Sequence, residues 1–225
     1  MRPYLCQHQP GGGWSVTLGR RRLIYEAIGL VLIWAVAVAA SAQGSASPTQ
    51  AVRGTVDHVI RILEDSALKS PAKLMPRRRM LEEVIAERFD YAEMSKRSLA
   101  ADWTPLTEAQ RTEFVELFKR FLSDRYAEKI EGYSGEQVGY LSERIDGTYA
   151  EVRTELRSDK TTIPMDYRLL MKEGRWHAYD IIVDGVSLVK NYRSQFQKII
   201  RESSYQELVR KLGERTLAEE KKAKP

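Results

Sequence analysis

The feature that most constrains the fold of this chain is a change of hydrophobic period at Gly132. Before this glycine, apolar residues recur every three or four positions, which is typical of helices with one buried stripe. After it, apolar and polar residues alternate in four successive segments, which is typical of strands with one buried face. The helical period returns after Gly185. This order predicts an α+β fold in which helices cover one face of an antiparallel sheet.

Three helices are predicted between Ala51 and Leu99. The first carries an apolar stripe at steps of three and four residues and ends near Leu68. Pro76 suits the first turn of the second helix, because the amides of that turn have no hydrogen-bond partner within the helix and proline lacks an amide hydrogen. Asp90 is placed to cap the third, shorter helix.

A fourth helix is predicted to be the longest and the richest in aromatic residues. Thr107 and Gln110 form a capping-box pattern at its start, with a hydroxyl at the cap and an amide three residues later. Its apolar face includes three phenylalanines. Such a face usually packs into the hydrophobic core. Together with the apolar faces of the strands, it could instead line a cavity for an apolar ligand.

Four strands and two closing helices are predicted after Gly132. The strands begin at Gln137, Tyr149, Ile163 and Trp176. The turn sequences Asp146-Gly147, Ser158-Asp159-Lys160 and Glu173-Gly174 separate them, so they are predicted to form a meander. The closing helices run from about Leu188 to Glu202 and from Ser204 to Leu212, with Gly213 as a stop. Residues 215–225 are predicted to be a charged, flexible tail.

Residues 1–42 are predicted to be a cleavable signal peptide. Three arginines, residues 20–22, precede an apolar run from Ala27 to Ala40, and an A-x-A site ends at Ala42. The run is short for a spanning helix, although an uncleaved N-terminal anchor is the alternative. The exported domain is therefore expected to cover residues 43–214.

Removal of this segment changes both the cysteine count and the charge. Cys6 is the only cysteine, so the exported domain would contain no disulfide. Four arginines and one glutamate fall within the segment, and the remaining chain is close to electrically balanced. The high isoelectric point of the whole chain therefore does not indicate a nucleic-acid partner.

Most catalytic arrangements are excluded by the residues that remain. The exported domain has two histidines, His58 and His177, too few for a histidine-based zinc site, and no cysteine nucleophile. One enzymatic alternative stays open: Asp166 or Asp180 could act as a general base with a raised pKa inside an apolar cone. The other interpretation of Asp180 is a hydrogen-bond acceptor that ties a strand to a helix.

The stretch WHAYDIIVDGVSLVKNYRSQF, residues 176–196, resembles the shared stretch of the MlaC family, also described as toluene-tolerance or auxiliary ABC-transport proteins. The combination of W-x-x-Y-D, G-V-S and N-Y-R-x-x-F at fixed spacing is specific. The likeness extends upstream through RFDYAEMSKRSLAADW and covers about Val52 to Leu212. Ala100 is a departure, because many relatives have glycine there, and it affects the geometry of a helix end.

The resemblance implies a fold like that of nuclear transport factor 2, in which helices cover a curved sheet of about four strands around an apolar cavity. It implies a soluble periplasmic carrier that holds the acyl chains of a phospholipid as cargo, without a cofactor, a metal or catalysis. The expected partners are an inner-membrane ABC transporter complex with its MCE-type periplasmic subunit and an outer-membrane lipoprotein complex. Shuttling between them would maintain outer-membrane lipid asymmetry. A hopanoid is the alternative cargo.

The expected lipid-binding residues are apolar side chains of the second helix, the fourth helix and three strands. They are Leu81, Val84, Ile85, Phe114, Phe118, Phe121, Val152, Met165, Tyr167, Leu169, Tyr179 and Ile181. An error of one residue in strand register would move every strand residue to the outer face.

A structural latch is expected where the last predicted strand meets the next helix. Its members are Asp180, Gly185, Ser187, Tyr192 and Arg193. The Asp-Gly pair ends the strand, and Ser187 is placed to cap the helix. Arg193 is expected to pair with Asp180 or Asp90.

Overall fold

The computed structural model describes residues 46–223, with side chains up to residue 216. The predicted signal peptide lies outside the described residues. The helices are α1 Pro48–Glu64, α2 Leu74–Arg88, α3 Tyr91–Leu99, α4 Glu108–Glu131, α5 Leu188–Glu202 and α6 Tyr205–Ala223. The strands are β1 Gln137–Asp146, β2 Tyr149–Arg157, β3 Thr162–Lys172, β4 Arg175–Val183 and β5 Val186–Ser187. No helix among residues 46–223 is both long and apolar enough to span a membrane.

The strands form one antiparallel sheet in the order β1-β2-β3-β4-β5, which confirms the predicted α+β fold and meander. The fifth strand is only two residues long, and Val186 pairs with Val183 across a tight turn. Asp184 and Gly185 form that turn with φ angles of 49° and 75°. Both values suit the mirror-image turn that joins twisted strands most easily.

Two β-bulges change which side chains face the helices. In β1 the register shifts between Tyr140 and Ser142, and in β4 Tyr179 has no partner between Ala178 and Asp180. Each bulge adds one residue to a strand. Beyond it, the odd and even positions therefore exchange faces.

The predicted helix caps are present. Thr107 and Gln110 make both reciprocal bonds of a capping box at the start of α4. The Asp90 carboxylate accepts a hydrogen bond of 2.9 Å from the Glu93 amide at the start of α3. The Ser187 hydroxyl accepts one of 3.1 Å from the Lys190 amide at the start of α5. These bonds satisfy amides that the first turn of a helix leaves unpaired.

Buried apolar side chains form three clusters. Helices α3 to α6 pack around an aromatic cluster that includes Phe118 and Phe196, whose rings meet edge to face at 5.3 Å. A second cluster joins the start of α1 to β2, β3 and β4. A third lies between α1 and α2 and includes Leu63 and Leu81.

Helix α6 continues to Ala223, so the prediction that Gly213 stops it after Leu212 is wrong. Residues 215–223 are correspondingly helical. Leu208, Leu212 and Thr216 are all buried along one face, and this packing continues past the glycine. Arg210 also pairs with Glu207 and Glu214 one turn to either side. These contacts outweigh the cost of one helical glycine, about 1 kcal/mol relative to alanine.

Gly213→Ala should therefore stabilise the protein by about 0.5–1 kcal/mol, because the added methyl group meets nothing within 4 Å. Chemical denaturation measures the change. A destabilised variant would show that Gly213 is needed as a helix stop.

Ala100→Gly should also stabilise the protein. Ala100 caps α3 with φ 53° and ψ −118°, a conformation that glycine adopts without strain and alanine does not. Relief of about 1 kcal/mol should raise the melting temperature by about 2–4 °C in a domain of this size. Ala101→Gly is the matched control and should not stabilise the protein. An unchanged melting temperature in Ala100→Gly would contradict the strain.

Candidate functional site

An apolar cavity of about 650 Å³ lies between the inner face of the sheet and helices α1, α2 and α4. This volume is within the range of about 300–1,000 Å³ that is usual for small-molecule sites. The start of α3 and the start of α5 complete the wall. Val183 and Val186, at the β4–β5 turn, line the cavity and are also exposed to solvent, so they mark its mouth.

The wall is built from the apolar stripe of each element that faces the cavity. Helix α1 contributes Val52, Val56, Val59, Ile60 and Leu63 at helical spacing. The second half of α4 contributes Leu122, Tyr126 and Ile130. The sheet contributes Val138, Leu156, Ile163, Met165, Tyr167, Ile181 and Val183. Apolar residues at every second position of a strand share one face, which explains why four strands supply this wall.

Five of the twelve predicted lipid-binding residues line this cavity. They are Leu81, Ile85, Met165, Tyr167 and Ile181. Tyr167 pairs with Ile181 across β3 and β4, which places both side chains on the inner face. Burial raises the pKa of the Tyr167 phenol, so that this side chain stays neutral within the wall. Contact between these residues and a lipid remains a prediction.

The three phenylalanines of α4 do not line the cavity, which corrects their predicted position. Phe114, Phe118 and Phe121 belong to the aromatic cluster under α5 and α6. Tyr192 of α5 meets two of these rings edge to face, at 5.4 Å and 5.5 Å. The two closing helices bury apolar faces of their own, and the first half of α4 supplies the surface that covers them. Only its second half reaches the cavity.

Three more of the twelve lie in close-packed core rather than at the cavity. Val84 is buried between α1 and α2. Val152 and Leu169 do face inward, but α1 begins directly over them and leaves no open space. Their predicted face was right, and their position along the strands excludes them from the lining.

Tyr179 lies on the opposite side of the sheet because it is the extra residue of the β4 bulge. Its ring lies 4.1 Å from the Arg97 guanidinium and meets Tyr149 edge to face at 6.1 Å. The prediction that it lines the cavity is therefore wrong. Regular alternation along β4 would place Tyr179 on the same face as Ile181. The bulge interrupts this alternation, with the same effect as a change of register by one residue.

The α1 lining was missed, although its signal was present in the sequence. Val52, Val56, Val59 and Ile60 form the apolar stripe predicted for the first helix, and the prediction assigns none of them to a cavity. Tyr126 and Ile130 likewise lie on the apolar face of α4, beyond the last of the phenylalanines, Phe121. Sequence spacing gives the face of a helix, and the tertiary arrangement decides which part of it stays uncovered.

Two arginines on the cavity wall are held by bonds to other elements. Arg78 of α2 makes a two-pronged ion pair with Glu131 at the end of α4, at 2.8 Å and 2.9 Å. Arg88 donates to the Thr55 hydroxyl of α1 and to the Trp176 carbonyl of β4. Burial and the nearby positive charge of Arg175 lower the pKa of Arg88. These bonds join the helices that surround the cavity.

Of the expected latch, the structure shows the bonds of a buried carboxylate, Asp180, to the start of the next helix. Asp180 is 3% exposed. Its two oxygens accept hydrogen bonds from the Ser187 hydroxyl at 2.7 Å and from the Val189 amide at 3.0 Å. Arg168 lies 3.4 Å away. Asp180 thus ties the middle of β4 to the first turn of α5.

The predicted partner of Arg193 is wrong. Its Nε donates to the Arg97 carbonyl of α3 at 2.8 Å, not to Asp180 or Asp90. Asp90 instead accepts from the Glu93 amide and pairs with Lys172. Arg193 therefore joins α5 to α3, and Tyr192 is buried in the aromatic cluster.

Neither carboxylate of the enzymatic alternative faces the cavity. Asp166 lies between two cavity-lining residues of β3, so its side chain is on the outer face. Asp180 already accepts two hydrogen bonds at the junction with α5. Among the described residues, no group of three or more histidine, aspartate or glutamate side chains is placed to hold a metal ion.

Asp180→Ala should destabilise the protein by about 3 kcal/mol, because it leaves a buried hydroxyl and a buried amide without an acceptor. Asp166→Ala removes the same group from the outer face of β3 and should change stability by less than about 0.5 kcal/mol. Urea denaturation of both variants measures the difference. Equal effects would mean that the Asp180 junction carries no particular stability.

Comparisons with known proteins agree on one family. The profile of the family described as MlaC protein matches residues 53–214, which is more than two thirds of the chain. The chain is 23% identical over 109 residues to the intermembrane phospholipid transport system binding protein MlaC of Haemophilus influenzae. This match covers 46% of the chain and 51% of the relative, so the chain spans about half the length of that curated protein.

The fold is similar to that of a solved protein with a bound lipid. This is the phospholipid-binding protein from Ralstonia solanacearum in complex with a phospholipid, with a TM-score of 0.69 and 25% sequence identity. The alignment covers 77% of this chain and 99% of the solved chain.

Proposed function

This chain belongs to the MlaC family, and from that premise we propose that it binds a phospholipid by enclosing the acyl chains in the cavity. The observation that carries the proposal is the composition of the wall. Apolar side chains from α1, α2, α4 and four strands face a single space that opens to solvent at Val183 and Val186. A protein of similar fold holds a phospholipid.

The energy of exposed acyl chains explains why a carrier of this kind is needed. Two chains contain about 30 methylenes, and at about 0.8 kcal/mol each their exposure to water costs on the order of 20 kcal/mol. A lipid therefore leaves a membrane very slowly without help. An apolar cavity recovers most of this cost, while the charged headgroup stays in water at the mouth.

We further propose that the protein shuttles its cargo through the periplasm between an outer-membrane lipoprotein complex and an inner-membrane ABC transporter complex with an MCE-type subunit. Exchange between a membrane and an apolar cavity is nearly neutral in energy, so direction has to come from these partners. The name of the Haemophilus influenzae relative, an intermembrane phospholipid transport system binding protein, supports this role. Delivery in this way would maintain outer-membrane lipid asymmetry.

The direct test identifies the cargo. The exported protein is purified from periplasm without detergent and extracted with organic solvent, and the extract is examined by mass spectrometry. We expect a diacyl phospholipid in near-stoichiometric amount. A hopanoid in its place would keep the carrier function and change the cargo. An empty protein that also takes up no lipid from vesicles would contradict the proposal.

Ile181→Trp should lower lipid occupancy about tenfold or more, because the larger ring fills space beside Met165 and Tyr167 that an acyl chain would occupy. The matched control is Ile145→Trp, since Ile145 is 53% exposed on β1 and lies away from the cavity. Both variants should fold, as circular dichroism can verify. Equal occupancy in the two variants would show that the lipid lies elsewhere.

A further inference from the structure

A basic surface lies at the N-terminal end of α2, on the outside of the cavity wall. Between Ser66 and Met80 the sequence contains five basic residues and no acidic residue. They are Lys69, Lys73, Arg77, Arg78 and Arg79. The segment consists of two short 3-10 turns followed by the first two turns of α2.

Two of the five basic residues are engaged with the protein itself. Arg77 and Arg78 share the carboxylate of Glu131, at 3.9 Å and 2.8 Å. Lys69, Lys73 and Arg79 are exposed, and none of them forms an ion pair with a carboxylate of residues 46–216. Their charges therefore point to solvent and are available to a partner.

The exposed positive charge of α2 is confined to this end of the helix. Farther along the exposed face of α2, Glu83 and Glu87 are both exposed and reverse the sign. Burial raises the pKa of the Glu82 carboxyl, and the nearby charge of Arg79 partly opposes this rise. The basic surface is therefore local and adjoins an acidic one.

Two exposed methionines lie among these charges. Met75 is 44% exposed and Met80 is 39% exposed. Met75 and Arg79 are one helical turn apart, so they lie on the same face of α2. Methionine is flexible and apolar, and it adapts to irregular apolar surroundings. Basic side chains interleaved with apolar ones are typical of segments that lie in a membrane interface.

We propose that the surface formed by Lys69, Lys73, Met75, Arg79 and Met80 docks on a membrane that contains anionic phospholipid. The charges are complementary, and apolar side chains between them can enter the headgroup layer. Arg78 and Leu81 of the same helix line the cavity, so docking here places one wall of the cavity next to the lipid surface. In this respect the proposal rests on the proposed function.

The expected size of the effect follows from the charges. A basic residue near an anionic membrane contributes about fivefold to binding, so removal of three gives a loss of about 100-fold. Binding should also weaken as ionic strength rises, because salt screens exposed charges beyond a distance of about 8 Å at 0.15 M. Loss of the methionines should lower binding severalfold and leave its salt dependence in place.

The test is cosedimentation of the exported protein with vesicles of phosphatidylcholine alone or mixed equally with phosphatidylglycerol. The variants are K69Q/K73Q/R79Q and M75S/M80S. The matched control is K96Q/K198Q/R201Q, which removes the same charge from exposed positions on α3 and α5. Lipid occupancy is measured in every sample by solvent extraction and mass spectrometry.

The proposal is supported if the wild type and the control bind the mixed vesicles, and K69Q/K73Q/R79Q loses about 100-fold while keeping its cargo. It is overturned if the wild type ignores anionic vesicles, or if both triple variants bind equally well. Capture of an acidic protein with no vesicle binding would overturn it too. If K69Q/K73Q/R79Q does not fold, the salt dependence of wild-type binding is the test. Binding of the wild type to the mixed vesicles that does not weaken with salt would overturn the proposal. Vesicle binding by a protein without cargo would contradict the proposed function but still support membrane docking by this surface.

Discussion

An apolar cavity survives in a folded protein only if its walls cannot collapse onto one another, because protein interiors otherwise pack as densely as organic crystals. Here each wall is supported from behind or from the side. The aromatic cluster of α3 to α6 fixes the first half of α4, and the cluster beneath the start of α1 fixes the opposite end of the sheet. The pairs formed by Arg78 and Arg88 hold α2 against its neighbours. These contacts keep the walls of the cavity apart.

The position of α5 between the aromatic cluster and the cavity explains why the sheet and the closing helices are joined through a buried carboxylate. Helix α5 belongs to the aromatic cluster on one side and borders the cavity through Leu188 and Asn191 on the other. Asp180 fixes its first turn to β4 with two hydrogen bonds, and Arg193 fixes it to α3. The side of the cavity near its mouth is therefore anchored to both the sheet and the helical core.

Local structure was predictable wherever a periodic pattern or a capping residue determined it. The four long strands begin within one residue of their predicted starts, and the caps at Thr107 and Ser187 form as expected. The faces of side chains were less predictable, since a bulge leaves no clear mark in a sequence and Tyr179 follows it to the outer face. Whether an apolar stripe meets core or cavity depends on long-range packing, and the phenylalanines of α4 show this.

The predominantly apolar character of the wall limits what such a cavity can distinguish. A hydrophobic pocket separates ligands that differ by one methylene by only about 1–3 kcal/mol, whereas a buried hydrogen-bonding site rejects the wrong ligand far more strongly. The valines, isoleucines and leucines around this cavity therefore respond to the length and thickness of a chain rather than to its chemistry. For such a protein, the composition of the donor membrane becomes the main determinant of what is carried.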